Sequence, residues 1–291
     1  MNDTELDYYI EAGKAAKYVL HKCAAEIKPG VSLADIFDMV LDEFEAKGVH
    51  HSFPPNISLN ECAAHDAPSP DDERVFAEGD LVKLDIGTHV EGYIADTAVT
   101  VDLGDHAKLC EASQNALEAA IKMVKPELVV SEIGKVVEET ITSYGYKPII
   151  NLTGHALARY DLHHGLSIPN TGLFGNGVLR LDNAIAIEPF ATTGTGMVHE
   201  SGRAEIYQVV NDSPVRAPTA RKIMSRAEEM KGLPFARRWL NVPKAELALP
   251  NLVRLGNLYS YHCLCDVPES FVSQFEHTII VTEDEPIVTT R

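Results

Sequence analysis

The sequence predicts an α+β fold built from two related halves. A pattern of helix, break, helix and terminal glycine occupies the first 48 residues and returns 97 residues later. Each helix pair is followed by segments rich in β-branched and apolar residues, which is typical of strands. The 291 residues are enough for about two domains of ordinary size, or for one large domain with an insert. We therefore expect residues 1–291 to form a single domain with two pseudo-symmetric halves.

The first half begins with two amphipathic helices. An apolar stripe at helical spacing runs through residues 6–27, with Thr4 as its expected cap, until Lys28, Pro29 and Gly30 interrupt it. Ser32 is expected to cap the second helix, and Gly48 to end it.

The second half repeats this arrangement. Helical stripes cover residues 109–123 and 133–144, with a break at Lys125 and Pro126 between them and Gly145 at the end. At an offset of 97 residues, six positions are identical in the two halves: Leu20 and Leu117, Lys28 and Lys125, Pro29 and Pro126, Ile36 and Ile133, Val40 and Val137, and Gly48 and Gly145.

Five segments are predicted as strands. Residues 81–86 and 93–101 form a hairpin that turns near residues 90–92, and residues 184–190, 206–210 and 271–282 supply the others. No segment reaches the roughly 18 consecutive apolar residues of a membrane-spanning helix. We therefore expect no membrane association.

Charge is unevenly distributed along the chain. With 25 Lys and Arg against 43 Asp and Glu, the net charge is −18, which argues against a nucleic-acid-binding protein that neutralises phosphates. Residues 213–262 nevertheless carry nine basic and three acidic residues, a net charge of +6. Prolines divide this segment into short helical stretches, so we interpret it as a helical insert with a surface role of its own.

The five cysteines do not suggest a disulfide scaffold, because their number is odd and the chain is long. The first residues lack the basic start and apolar run of a signal peptide. A reducing cytoplasm is the expected compartment. Cys263 and Cys265 form a poor metal-binding pair without further partners and are interpreted as structural.

Two aspartates are expected on one face of the predicted hairpin. If the hairpin turns at residues 90 and 91, Asp85 lies opposite Asp96, and a register shifted by two residues leaves them diagonal on the same face. Glu188 and Glu276 also interrupt apolar strand segments. Because burying unpaired carboxylates is costly, a shared cation is favoured over separate salt bridges or turn caps.

His155 adds a nitrogen donor to these four carboxylates. An oxygen-rich set with one nitrogen suits manganese, iron, cobalt or zinc, and bridging carboxylates allow two ions. Signatures of rival chemistries are absent, including His-Glu-x-x-His, Cys-x-x-Cys, Gly-x-Ser-x-Gly and a complete phosphate loop.

Several motifs together resemble those of type 2 methionine aminopeptidases, specifically the archaeal members, which have no long Lys-rich leader. The resemblance runs from residue 53 to the C-terminus and rests on FPPNISLNECAAH, LDIG, IADTAVTV, GHALARYDLHHG, SIPN, AIEPFATTGTG, LPFARRWL and QFEHTII. It implies the pita-bread fold, with two pseudo-symmetric α+β halves and a type 2 helical insert that we place at residues 213–262.

The resemblance also implies roles for particular residues. The ligands of two divalent ions would be Asp85, Asp96, His155, Glu188 and Glu276, and Glu188 would also act as general base. Substrate contacts would come from the catalytic histidines His65 and His163, and from Phe53, Leu162 and Tyr261 in a methionine pocket. His164 and Asp66 depart from the family pattern, which has alanine and tyrosine at these positions.

The implied activity is metal-dependent removal of the N-terminal methionine from nascent polypeptides, with a preference for a small second residue. We expect a cytoplasmic monomer that contacts the ribosome transiently through its basic insert and binds no specific nucleic acid. Two alternatives remain open: a prolidase or Xaa-Pro aminopeptidase of the same fold, and a non-catalytic relative that binds RNA or ribosomes. The first usually has a sizeable N-terminal domain, and the second loses metal ligands.

Overall fold

The computed structural model describes residues 1–291 as six α-helices, one short 3₁₀ helix and sixteen strands in four sheets. The helices are α1 (Asp3–Ala24), α2 (Leu33–Lys47), α3 (Ala107–Ile121), α4 (Val130–Ser143), α5 (Pro218–Glu228) and α6 (Ala245–Arg254), and the 3₁₀ helix covers Arg237–Trp239. The strands are β1 (His50–His51), β2 (Asn56–Leu59), β3 (Cys62–Ala64), β4 (Leu81–Val90), β5 (Tyr93–Asp102), β6 (Lys147–Pro148), β7 (Thr153–Leu157), β8 (Ser167–Pro169), β9 (Ala184–Ile187), β10 (Phe190–Thr192), β11 (His199–Val209), β12 (Phe235–Ala236), β13 (Leu258–Cys265), β14 (Val272–Gln274), β15 (His277–Ile280) and β16 (Ile287–Val288).

Each helix pair packs on the strands of its own half. The apolar faces of α1 and α2 meet β2 and β4 in one buried cluster, and those of α3 and α4 meet β9 and β15 in another. The two-half α+β arrangement predicted from the sequence is therefore confirmed.

The helix ends follow local capping chemistry. Ser32 caps α2 through its side chain, and Gly48 ends that helix in the left-handed conformation, as predicted. The prediction for α1 was wrong by two residues. Asn2 is the N-cap, because its side chain accepts from the Glu5 amide while the Glu5 carboxylate accepts from the Asn2 amide.

In the β4–β5 hairpin, strand pairing is shifted by two residues from the register that would place Asp85 directly opposite Asp96. Its turn residues Glu91 and Gly92 both have positive φ, as a two-residue hairpin turn requires. Asp85 consequently pairs with Ala98, and Asp96 with Gly87. The two aspartates are therefore diagonal neighbours on one face rather than directly opposed.

Two predicted strands are interrupted where their glutamates lie. The segment 184–190 divides into β9 and β10 around Glu188, and the segment 271–282 divides into β14 and β15 around Glu276. Glu276 forms an isolated antiparallel bridge with Ala98 of β5, through amide–carbonyl distances of 3.1 and 3.4 Å. This bridge joins strands of the two halves, so the carboxylates lie at the seam between them.

Residues 213–262 include α5 and α6, which pack around Ile223, Leu249 and Leu252 in a separate apolar cluster. They also supply β12 and part of β13, so the segment is less purely helical than its sequence suggests. The division into a catalytic domain and an insert subdomain stays a prediction. No helix has the length and apolar character needed to cross a membrane.

One disulfide is present, contrary to the expectation of reduced cysteines. Cys62 and Cys265 are bonded across β3 and β13, although 203 residues separate them in the chain. Their proximity comes from the pairing of two strands distant in sequence, and the five-cysteine count gives no sign of it.

Candidate metal centre and substrate pocket

The five predicted ligand residues line one cavity of about 240 Å³. Strands β4, β5 and β7 and the two strand breaks contribute one each: Asp85, Asp96, His155, Glu188 and Glu276. The His155 Nε2 atom lies 3.6 Å from Asp96 Oδ2 and 3.8 Å from Glu188 Oε1. Possible ligand atoms of Asp96, His155 and Glu276 all lie within 4.8 Å of one another. The fold therefore brings together all five residues that the sequence indicated.

These carboxylates have no cationic partner from the protein, since no lysine or arginine lines the cavity. Burial raises the pKa of Asp85 to about 7. Burial and repulsion from neighbouring carboxylates raise the pKa of Asp96, Glu188 and Glu276 well above their ordinary values. The cluster is therefore costly to ionise as it stands.

Several buried side-chain atoms of the cluster, which could act as metal ligands, also lack hydrogen-bond partners. They are Asp85 Oδ1, Asp96 Oδ1, Glu276 Oε2 and His155 Nδ1. Unpaired buried carboxylates are rare unless they coordinate a cation. The donor set, oxygen-rich with one imidazole, thus fits one or more divalent metal ions.

Neighbouring side chains hold the ligands in place. Gln274 Nε2 lies 3.3 Å from both Asp85 Oδ2 and Glu188 Oε2. The Thr278 hydroxyl accepts from the Asp96 amide and donates to the Asp96 carbonyl, at 2.7 and 2.8 Å. Gln274, a fully buried amide two residues before Glu276, was not predicted from the sequence.

Two further histidines face the same cavity. The His163 ring centroid lies 4.5 Å from that of His155, and the His65 ring packs edge-on against Tyr261 at 5.1 Å. Desolvation inside the cavity lowers the pKa of the half-buried His65 to about 4, and it also lowers the pKa of His163, whose side chain stays partly open to solvent. Both rings are therefore neutral near pH 7, each with one N–H to donate and one nitrogen to accept.

The adjacent His164 lies outside the cavity. Its ring is exposed and pairs with Asp161 through Nδ1 and Oδ2 at 2.8 Å. His163, to which the family resemblance gave a catalytic role, is the one of the two histidines that faces the cavity.

The apolar part of the cavity includes the three predicted pocket residues Phe53, Leu162 and Tyr261. Phe53 packs so closely on β4 that a Cβ at Gly87 would lie 2.1 Å from its ring. Position 87 must therefore be glycine, because any side chain there would displace the Phe53 ring from the pocket.

Asp66, which departs from the family pattern, lies away from the metal centre. It does not line the metal-centre cavity, and it binds Arg74 through two hydrogen bonds of 2.8 Å each. Two asparagines that sequence reasoning missed do line the cavity, namely Asn56 and Asn151. Asn151 is held by the Val198 backbone, whereas Asn56 Oδ1 is buried without a partner.

Comparison with known proteins identifies the class. The model of metallopeptidase family M24 matches residues 7–283, and the chain belongs to this family. A curated relative from Archaeoglobus fulgidus, named methionine aminopeptidase, is 46% identical to this chain, and the match covers 100% of both chains. A relative of the same name from Methanocaldococcus jannaschii is 44% identical, and the match covers 97% of both chains.

Solved structures agree with this assignment. A methionine aminopeptidase from Thermotoga maritima superposes with a TM-score of 0.74 at 26% identity, covering 100% of this chain and 98% of that one. A thermophilic Arx1 has a TM-score of 0.91 at 19% identity, covering 99% and 91%. A prolidase from Pyrococcus horikoshii has a TM-score of 0.66 at 17% identity, covering 100% of this chain and 62% of that one. The last two show the fold alone. The predicted pita-bread fold class is confirmed.

Proposed function

We propose that this chain is a type 2 methionine aminopeptidase that removes the N-terminal methionine from nascent polypeptides and peptides. The observation that carries the proposal is a buried cluster of four carboxylates and His155 beside an apolar pocket with two neutral histidines. Full-length similarity to relatives named methionine aminopeptidase, at 40–46% identity, favours this substrate over other exopeptidase substrates.

Two divalent ions are proposed as the cofactor, held by Asp85, Asp96, His155, Glu188 and Glu276. When bound, such ions supply Lewis-acid activation of water and carbonyl, and they give the substrate amine a docking point. Four carboxylates carry a formal charge that two divalent ions balance, which is the reason for proposing two. Cobalt, manganese, iron and zinc all suit this donor set.

The protein's own residues account for binding and proton transfer. Phe53, Leu162 and Tyr261 form the apolar wall that receives the methionine side chain and excludes water. The Glu188 carboxylate accepts a proton from the attacking water. As the water oxygen bonds to the scissile carbon and the carbon–nitrogen bond breaks, Glu188 returns that proton to the leaving amine.

The two histidines recognise the peptide on either side of the reacting bond. His163, beside His155, donates its N–H to the scissile carbonyl oxygen and to the oxyanion that this oxygen becomes. His65, against Tyr261, contacts the substrate backbone beyond the scissile bond. Neutral imidazoles suit this role because they donate a hydrogen bond without repelling the nearby cations.

The test is methionine release by metal-reconstituted protein. Met-Ala-Ser should be cleaved and Met-Lys-Ser much more slowly, because a confined pocket admits only a small second residue. N-acetylated Met-Ala-Ser is the matched control, since it lacks the free amine and should not be cleaved. No methionine release from Met-Ala-Ser by protein with bound metal would overturn the proposal. Preferential cleavage of a Xaa-Pro peptide would instead favour the prolidase alternative.

The basic segment is proposed to bring this cytoplasmic, monomeric enzyme to the ribosome. Arg216, Arg221 and Lys222 are exposed and form no ion pair. By contrast, Arg237 and Arg238 of the same segment pair with Glu205 and Asp38. A cationic patch on an otherwise acidic protein suits a transient contact with the anionic surface of ribosomal RNA.

A further inference from the structure

Three cysteine sulfurs meet at one point where β3 pairs with β13. Cys62 of β3 is the register partner of Cys265, and the two are joined in the disulfide. Cys263 precedes Cys265 by two residues on the same strand, so both side chains project from one face. The Cys263 and Cys265 Sγ atoms lie 3.5 Å apart, and all three sulfurs lie within 4.8 Å of one another.

These separations suit a common ligand. Metal–sulfur bonds of about 2.3 Å in a tetrahedral arrangement place sulfurs about 3.8 Å apart. Cys263 already lies near that distance from Cys265, and opening the disulfide allows Cys62 to adopt it as well. In the sequence, Cys263 and Cys265 had no third ligand nearby. The fold supplies Cys62, which lies 201 residues before Cys263 in the chain.

The surroundings leave room for an ion and for exchange with solvent. The three cysteines line a cleft of about 310 Å³, separate from the metal-centre cavity but sharing His65 with it. Cys62 and Cys263 are partly exposed, whereas Cys265 is buried. A fourth coordination position can therefore be filled by water.

We propose that, once the Cys62–Cys265 disulfide is reduced, the three sulfurs bind one thiophilic metal ion such as Cd²⁺, Zn²⁺ or Cu(I). A dithiol or phosphine reductant supplies the two electrons for opening the disulfide and is itself oxidised, while solvent or the dithiol supplies two protons. A divalent ion then displaces three thiol protons and leaves a tris-thiolate complex of net charge −1.

This site differs in chemistry from the carboxylate centre. Thiolates select soft ions, whereas carboxylates with one imidazole suit harder and borderline ones. Burial raises the pKa of the Cys263 thiol to about 12, so without an ion it stays protonated near neutral pH. Metal binding must therefore release protons and strengthen with rising pH.

The test is a Cd²⁺ titration of the full chain after reduction with a phosphine and anaerobic removal of the reductant. Ultraviolet charge-transfer absorbance from thiolate to Cd²⁺ reports this site alone, because carboxylate-bound Cd²⁺ gives no such band. Because the carboxylate centre can also take up Cd²⁺ without adding to the band, the plateau absorbance should correspond to one thiolate-bound Cd²⁺ per chain. Cys263→Ser should weaken binding by about 100-fold or more, since it removes one of three strong ligands. Cys110→Ser, at a partly buried thiol outside the cluster, should leave the titration unchanged.

Thermal unfolding of the oxidised proteins separates folding defects from ligand loss. Cys263→Ser leaves the Cys62–Cys265 bond intact, so its oxidised form should unfold at the same temperature as the parent. No charge-transfer band in the fully reduced parent would overturn the proposal and leave a plain disulfide. Cd²⁺ binding of equal strength in Cys263→Ser and the parent would overturn it equally.

Discussion

Replacing Asp85 by asparagine should stabilise the metal-free protein and at the same time weaken metal binding. The carboxyl is buried among Asp96 and Glu188, without any cation, and its Oδ1 atom has no hydrogen-bond partner. The amide has the same shape but carries no charge. It therefore removes the repulsion in the empty site and one ligand from the filled site.

The size of the expected gain in stability, and its dependence on pH, follow from the pKa of Asp85. Burial raises this pKa from 3.8 to about 7, so the folded state holds the proton more tightly than the unfolded state. The stability that this proton contributes is complete below pH 4 and is lost as the pH rises through 7. At about 1.36 kcal/mol per pKa unit, the loss is roughly 2 kcal/mol at pH 5 and roughly 4 kcal/mol at pH 8.

Urea unfolding of metal-free protein at both pH values measures this effect. Asp85→Asn should exceed the parent in free energy of unfolding, and by more at pH 8 than at pH 5. Asp212→Asn, at an exposed carboxylate that forms no salt bridge, is the matched control and should change neither value. With metal added, Asp85→Asn should lose about 100-fold or more in kcat/KM, since metal activation contributes several kcal/mol to the transition state.

Two outcomes would refute this reasoning. A variant less stable than the parent at pH 8 without metal would mean that the carboxylate cluster is not strained when empty. Full activity with unchanged metal content would mean that Asp85 is not a ligand.

Two further predictions concern the pocket wall and the basic patch. Gly87→Ala places a methyl 2.1 Å from the Phe53 ring, so the ring must move. KM for Met-Ala-Ser should rise by about tenfold, from 1–3 kcal/mol of overpacking, with metal content unchanged; an unaltered KM would contradict the role of Phe53. Reversing Arg216, Arg221 and Lys222 to glutamate should reduce cosedimentation with ribosomes while hydrolysis of Met-Ala-Ser stays the same. Equal cosedimentation of the variant and the parent would refute the ribosome contact.

Local chemistry explains what could be predicted from the sequence. Helix pairs, their breaks and their glycine ends depend on residues within a few positions of one another, so α2 begins after Ser32 and ends before Gly48 as expected. Carboxylates inside apolar strand segments are conspicuous wherever they lie, because such groups are normally exposed. The four candidate carboxylate ligands were therefore recognisable before any contact between them was known.

Details within the site escaped prediction because strand pairing decides them. The turn at Glu91 and Gly92 sets the register and makes Asp85 and Asp96 diagonal. Gln274 is recognisable as a neighbour of the ligands only once β14 lies beside them.

The sequence by itself thus determined the two-half α+β plan and the residue types of the centre, because both are encoded in short patterns. Only the tertiary structure decided that β9–β10 and β14–β15 break at their glutamates. It alone brought Cys62 to Cys263 and Cys265. These features depend on contacts between segments distant in the chain, whose register and direction no local pattern records.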